Sequence, residues 1–106
     1  MTPYLLVITT VPDADVGQIV AEKIIEERLA ACVHLQAAGQ SLYWWEGKIM
    51  QDQEHTLLIK TKDAAYSRLE KKIKEIHPYD VPEIIAIPIQ KGSKEYLGWI
   101  DSEIQT

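Results

Sequence analysis

The spacing of apolar residues along this chain alternates between the periods of strands and helices. Apolar runs predict strands over 4–9, 32–35, 41–45, 48–50, 54–62 and 84–89. Steps of three and four residues predict helices over 13–31, over 63–76, and a short one after Gly92-Ser93. Asp13 or Asp15 is expected to cap the first helix, and Asp63 the second. The predicted order is therefore β-α-β, an added hairpin, β-α-β and a terminal helix.

Two β-α-β halves predict an α+β fold of the ferredoxin-like kind. In that fold an antiparallel sheet carries its helices packed on one face. The 106 residues form one domain, 1–106, because the chain is long enough for one core and too short for two. Pro88 cannot donate to a ladder of backbone hydrogen bonds, so we expect it near the end of its strand or on an edge.

A cluster of aromatic residues on one predicted strand creates a packing problem. Trp44 and Trp45 are adjacent, so they point to opposite faces of the sheet and cannot both lie under the helices. With Tyr43 beside them, an aromatic surface remains on the open side of the sheet. We interpret this surface, together with Trp99 of the terminal helix, as an interface between chains. The alternative is that the terminal helix alone covers it.

Composition and charge narrow the class of partner. Hydrophobic residues make up 46% and charged residues 25% of the chain, which is typical of globular proteins. The net charge of −5 argues against a nucleic-acid backbone as partner and suits small cations. The single Cys32 excludes an internal disulfide, and no apolar run is long enough to span a membrane. These features favour a cytoplasmic protein.

The segment from His77 to Glu83 is the strongest candidate for a site. It places an imidazole, a phenol and two carboxylates on a short connector that two prolines stiffen. His77 is interpreted as a metal ligand, as an acid or base acting with Glu83, or as a residue that ends the preceding helix. Tyr79 and Glu83 are expected to complete a polar pocket with it.

Other groups with metal-binding chemistry have simpler structural explanations. Cys32 and His34 share one face of a strand, but a buried thiol beside a satisfied histidine is the favoured interpretation. Glu46, Asp52 and Glu54 cluster around the predicted hairpin and could hold a hard cation weakly, but exposed acids near a turn are the commoner case and the spacing of a calcium-binding loop is absent. His55 is expected at the rim of the sheet. Sequence motifs of hydrolases, zinc proteases and phosphate-binding loops are absent, so we expect a binding protein and not an enzyme.

With these residues in place, the chain closely resembles the CutA divalent-cation-tolerance family. The resemblance covers nearly the whole length and rests on strings in a specific order. These are Thr10-Val11-Pro12-Asp13, Leu29-Ala30-Ala31-Cys32-Val33, Ser41-Leu42-Tyr43-Trp44-Trp45-Glu46-Gly47-Lys48, Lys60-Thr61, His77-Pro78-Tyr79, Pro82-Glu83 and Tyr96-Leu97-Gly98-Trp99-Ile100.

The resemblance implies a ferredoxin-like subunit in a homotrimer similar to the P-II signalling proteins. It also implies a link to tolerance of copper and other divalent metals, with direct copper binding in some members. In bacterial members to which a copper site is assigned, a cysteine stands at the position of Thr9 and two histidines stand at Ile76-His77. Only His77 of those three ligands is present here. Copper or another divalent metal is the implied cofactor.

The sequence thus supports one leading hypothesis and two alternatives. The first is a cytoplasmic trimer that binds a divalent metal in clefts between subunits, each built from Lys60, His77, Tyr79 and Glu83. The second is a P-II-like module that binds a small anionic effector, which an inward-pointing Lys60 would favour. The third is an enzyme that uses His77 as acid or base.

Overall fold

The computed structural model describes residues 2–104 and contains five strands and three helices in that range. The strands are β1 (Tyr4–Val11), β2 (Cys32–Leu35), β3 (Gly39–Trp45), β4 (Lys48–Lys62) and β5 (Ile85–Pro88). The helices are α1 (Ala14–Glu26), α2 (Tyr66–Ile76) and α3 (Lys94–Glu103), and a 3-10 turn at Asp63–Ala65 precedes α2. None of these helices is both long and apolar enough to cross a membrane.

The sheet has the predicted ferredoxin-like topology. Its strands run in the order β2-β4-β1-β5, and β3 pairs with β4 outside this path. All of the pairs are antiparallel. Pro88 is the last residue of β5, which lies at the edge of the sheet, as its missing N–H predicts. The predicted fold class is confirmed.

One face of the sheet forms the core with α1 and α2. Alternate residues of β1 and β4 point to this face and are fully or almost fully buried, among them Val7, Leu57 and Ile59. They pack against apolar residues of α1 and α2, such as Ile24 and Ile73. Gly17 lets α1 approach β2 closely, because a Cβ at this position would lie 2.8 Å from Leu35 Cδ1.

Strand β4 is longer than the sequence indicated. We expected separate strands at 48–50 and 54–62, but β4 runs without a break over 15 residues. The polar residues 51–53 contain no Gly or Pro and remain paired with β3. Glu46 and Gly47 both take positive φ angles, 51° and 76°, which suits a tight two-residue hairpin turn. We call β3 and residues 48–54 of β4 the hairpin arm.

Helix α1 begins as predicted and ends earlier. Asp13 Oδ1 accepts a hydrogen bond from the Val16 amide at 2.8 Å, so Asp13 is the N-cap. The helix was expected to reach Ala31 but ends at Glu26, because Arg28 adopts a left-handed φ of 59°. The Leu29 amide then donates to Ile24 O and the Arg28 amide to Ile25 O, the bonds of a Schellman motif.

The other two helices also differ in how they start. Asp63 does not cap α2, which was our prediction, because the 3-10 turn that begins at Asp63 precedes the helix and no side-chain cap bond forms. Ser93 caps α3 as expected, with its Oγ accepting from the Tyr96 amide at 3.2 Å.

The second face of the sheet, which we call the open face, is only partly covered. Helix α3 packs at the end where Tyr4 pairs with Lys62, and Ile100 is buried there. Asp101 of α3 accepts a hydrogen bond from Tyr4 Oη at 2.9 Å and forms a 2.6 Å ion pair with Lys62. Farther along, Ile85 and Ile87 share this face with apolar residues of β1 and are 48% and 47% exposed.

Candidate functional site

A cleft of about 710 Å³ lies where the hairpin arm meets the loop between α2 and β5. Such a volume is typical of small-molecule sites. Its walls come from the end of β1, from the arm and from the loop: Thr10, Ser41, Leu42, Tyr43, Trp45, Met50, Asp52, Glu54, Tyr79, Asp80, Val81 and Glu83. Four of these residues are acidic, and none of the described residues that line the cleft is basic.

Two hydrogen bonds between a tyrosine and a carboxylate fix the positions of side chains in the cleft. Tyr79 Oη donates to Glu54 Oε2 at 3.0 Å, joining the loop to the arm, and Tyr43 Oη donates to Asp52 across the β3–β4 pair. Asp52 and Glu54 are two residues apart on β4, so both carboxylates project from the same side of the strand. Each uses one oxygen for its tyrosine, which leaves the other available to a cation.

The tyrosines act as fixed hydrogen-bond donors. Burial raises the pKa of the Tyr79 phenol, and the hydrogen bond to Glu54 and the negative charges of Glu54 and Asp52 raise it further. The hydrogen bond to Asp52 is the main cause that raises the pKa of Tyr43. Both phenols therefore stay protonated near neutral pH and hold the carboxylates in place.

His77 lies beneath the cleft wall and is not among the lining residues. It is only 7% exposed. Its Nδ1 accepts a hydrogen bond from the Tyr79 amide at 3.1 Å, so the ring proton is on Nε2, which donates to Thr10 O at 2.7 Å. The His77 and Tyr79 rings also pack at a centroid distance of 4.7 Å. Neither nitrogen of His77 has a free lone pair for a metal ion.

The positions that correspond to the implied copper ligands do not fit a copper ion. Thr9 points into the core and is fully buried, Ile76 has no donor atom and packs against the core, and His77 is engaged as described. Copper sites usually use several nitrogen or sulfur donors. More generally, no three His, Cys, Asp or Glu side chains within residues 2–104 are grouped so as to hold a metal ion.

The four residues predicted to share a cleft are only partly together within one chain. Tyr79 and Glu83 line the cleft, as does Asp80, and His77 supports it from below. Lys60 lies outside the cleft. It is four residues along β4 from Thr56, the strand partner of the cleft residue Thr10, and this separation corresponds to about 13 Å. Its ammonium group lies 5.9 Å from the centre of the Tyr96 ring.

The remaining metal-type side chains lie away from the cleft. Cys32 and His34 lie on β2, which pairs with residues 57–60 of β4, and they share one face of the sheet, as predicted. The expected buried thiol beside a satisfied histidine was wrong, because Cys32 is half-buried and His34 is exposed. His55 Nδ1 lies 2.9 Å from Gln36 O. Glu46 occupies the hairpin turn and does not line the cleft. The side chains around the cleft therefore offer oxygen donors and a single thioether, from Met50.

The aromatic residues predicted to form an interface are exposed. Trp44 and Trp45 point to opposite sides of the hairpin arm and are 71% and 50% exposed. Tyr43 and Trp99 are exposed as well. Helix α3 packs at the far end of the open face and leaves these arm residues uncovered, so it does not provide the alternative cover considered above.

Sequence reasoning named Asp52 and Glu54 as acids near a turn that could hold a hard cation weakly, and it did not join them to Tyr79. Their contact links residues 25 positions apart, and no local pattern signals it. The length of β4 was the missing information, because only an unbroken strand carries both acids toward the loop.

Comparison with known proteins identifies relatives over almost the full length. A family model described as the CutA1 divalent ion tolerance protein matches residues 5–103. The divalent-cation tolerance protein CutA of Thermus thermophilus is 45% identical over 95 residues, which cover 90% of this chain and 92% of that protein.

Solved structures agree. The crystal structure of CutA1 from Oryza sativa has a TM-score of 0.95 at 42% identity, covering 98% of this chain and 95% of that one. The crystal structure of CutA1 from the psychrotrophic bacterium Shewanella sp. SIB1 has a TM-score of 0.96 at 39% identity, covering 100% of both chains. From the matched sequence and the shared fold, this chain belongs to the CutA1 divalent ion tolerance family.

Proposed function

We propose that this protein acts as a homotrimeric binding protein in divalent-cation tolerance, with cations attracted to the acidic cleft. The observation that carries this proposal is the cleft itself, in which four carboxylates face a concave space that no basic side chain of the lining neutralises. Because the donors of one chain do not converge on a point, we propose that a neighbouring protomer completes each site.

The anionic-effector alternative loses its main support. It required Lys60 to point into the cleft, and in this chain Lys60 is paired with the ring of Tyr96 instead. An anion entering the cleft would meet Asp52, Glu54 and Glu83 without a compensating positive charge from the lining. The acidic lining favours a cation.

A catalytic role for His77 is likewise not the function we propose. General acid–base chemistry requires a nitrogen within reach of the substrate. Nδ1 of His77 already accepts the Tyr79 amide proton and Nε2 already donates to Thr10 O. The imidazole is also buried below the cleft wall, away from a bound ligand. We propose binding without turnover.

The proposed assembly rests on apolar surface that one chain leaves uncovered. The exposed side chains of the hairpin arm are Leu42, Tyr43, Trp44, Trp45, Ile49 and Met50. By their register, Tyr43, Trp45 and Met50 lie on the same side of the sheet as Ile85 and Ile87, and the other three lie on the opposite side. Exposed apolar surface of this kind is typical of interfaces between chains. The cytoplasmic location stays a prediction.

Cation binding is tested by titrating the protein with Mn²⁺, Zn²⁺ and Cu²⁺ beside Glu54→Gln and Asp52→Asn. We expect each variant to bind Mn²⁺ about tenfold more weakly, equivalent to about 1.4 kcal/mol. Glu26→Gln, an exposed acid on α1 outside the cleft, removes the same charge and should leave the affinity unchanged. Equal weakening by all three variants would reduce the effect to net charge and contradict the proposed site.

Assembly is tested by sedimentation velocity and native mass spectrometry of the wild type and Trp44→Ala. Trp44 lies outside the cleft, so this variant separates assembly from ligand binding. We expect a trimer for the wild type and a loss of about 2 kcal/mol or more in association for the variant, as for a central interface tryptophan. Ile19→Ala, at an exposed apolar position on α1, is the matched control. A monomeric wild type would contradict the proposed assembly.

A further inference from the structure

We propose that His77 is a positioning residue of the cleft and not a metal ligand, so that the donors which this chain offers a cation there are oxygens and the Met50 thioether. The inference rests on the proposed function and extends it by naming the donors that this chain contributes. It also assigns to His77 a role different from the one that the family resemblance implied.

The imidazole of His77 is held at both ring nitrogens. His77 directly follows α2, with its own amide donating to Ile73 O at 2.8 Å, so its backbone is fixed by the helix end. Its Nε2 donates to Thr10 O, 67 residues away at the end of β1, and its Nδ1 accepts from the amide of Tyr79, two residues farther along the loop. The ring joins α2, β1 and the loop at one point.

The two hydrogen bonds of the His77 ring, which we call the clamp, also position a side chain of the cleft. The backbone of Tyr79 is held by His77, and its hydroxyl group is held by Glu54 at 3.0 Å. Tyr79 therefore connects the buried imidazole to a carboxylate of the cleft. Without the clamp, the loop loses its attachment to β1, and Tyr79 no longer orients Glu54.

The imidazole and thiolate ligands usual for copper are absent from the described lining of the cleft. The chain has three histidines and one cysteine. None of the four lines the cleft, where the side chains offer carboxylate and hydroxyl oxygens and the Met50 thioether. Oxygen donors suit Mn²⁺, Mg²⁺ and Ca²⁺ better than copper, which favours imidazole and thiolate. The cation preference of this chain should therefore differ from that of a protein with a cysteine–histidine copper site.

The experiment compares His77→Ala with His77→Asn. An Asn side-chain oxygen accepts the amide proton of the residue two positions on, as in an Asx turn, and so replaces Nδ1 without supplying an imidazole. We expect His77→Ala to speed hydrogen exchange of the Tyr79 amide at least tenfold and to weaken Mn²⁺ binding. His77→Asn should restore the protection of the Tyr79 amide but only part of the Mn²⁺ affinity, because Asn does not replace the bond from Nε2 to Thr10 O. His34→Ala removes an exposed imidazole elsewhere and should change neither.

A spectroscopic measurement tests ligation directly. Two-bond ¹H–¹⁵N correlation spectra should show the Nε2–H tautomer of His77, with ring signals that do not move when Zn²⁺, which accepts nitrogen ligands, is added. A shift of these signals on addition of Zn²⁺ would overturn the inference. So would a His77→Ala variant that binds Mn²⁺ as tightly as the wild type.

The inference and the proposed function can fail separately. If the wild type binds no divalent cation, the proposed function fails. The clamp is then judged by the tautomer and by exchange of the Tyr79 amide alone. An Nδ1–H tautomer, or a Tyr79 amide that exchanges equally fast in the wild type and His77→Ala, would overturn it.

Discussion

The two halves of β4 show how one strand can serve two purposes. Residues 55–62 pair with β1 and with β2, and Leu57, Ile59 and Thr61 are fully buried on the side that α1 and α2 cover. Residues 48–54 pair with β3 alone, and both of their faces are largely open to solvent. The backbone is continuous, so the difference lies in what covers each half. The core half is complete within one chain, whereas the arm half has apolar and acidic side chains that one chain does not cover.

Matched isoleucines on the same side of β4 test this contrast, and we expect the largest effect here. Ile59 is fully buried and Ile49 is 65% exposed. Ile59→Ala should lower the free energy of unfolding by about 2–5 kcal/mol, since it leaves a cavity in the core. Ile49→Ala should leave the fold intact and weaken only assembly. Urea unfolding followed by circular dichroism, with sedimentation velocity beside it, checks both. Equal unfolding by the two variants would contradict the division of the strand.

Two buried threonines sharpen the description of the core half. Thr61 Oγ1 donates to Leu29 O at 2.7 Å, whereas the equally buried hydroxyl of Thr9 has no hydrogen-bond partner among the described residues. Thr61→Val should therefore cost about 1–3 kcal/mol, because Leu29 O loses its donor. Thr9→Val should raise stability by about 1 kcal/mol, because an unpaired polar group is removed. Urea unfolding at one fixed protein concentration measures both, and the same sign for the two variants would contradict this account.

The smallest expected effect concerns the end of the core half, where α3 is attached. The hydrogen bonds from Lys62 and from Tyr4 hold the pKa of Asp101 below its ordinary value. Because the folded pKa is the lower one, this contribution to stability is present above the unfolded pKa and is lost as pH falls through the folded pKa. Asp101→Asn should thus be less stable than the wild type at neutral pH and should differ less from it in acid. Urea midpoints across that range test this, and a constant difference would contradict it.

The sequence was a good guide where periodicity and local chemistry act together. The order of the elements, the caps at Asp13 and Ser93, and the edge position of Pro88 all follow from residue types that have few alternatives. The end of α1 did not follow. Leu29 continues the apolar period of the helix and is buried. It lies beyond the helix because the preceding residue, Arg28, adopts a left-handed conformation that glycine usually occupies.

The candidate site was less predictable than the fold because it depends on long-range contacts. Tyr79 and Glu83 were expected to share a pocket, since they lie on one short loop, and they do line one cleft. Glu54 joins them only because the arm passes near the loop. The hydrogen bond from His77 to Thr10 could not be predicted either, because the two residues are 67 positions apart in sequence.

The unbroken course of β4 has a consequence for which insertions and deletions this chain can tolerate. Side chains alternate with a period of two, so one residue added or removed between the two halves would turn every arm residue to the opposite side. Asp52 and Glu54 would then face away from the loop, although the core half would be unaffected. Length changes at this point should therefore be accepted only in pairs, or be balanced by a bulge that restores the alternation. The alternation along β4 thus fixes which side of the hairpin arm carries the acidic side chains.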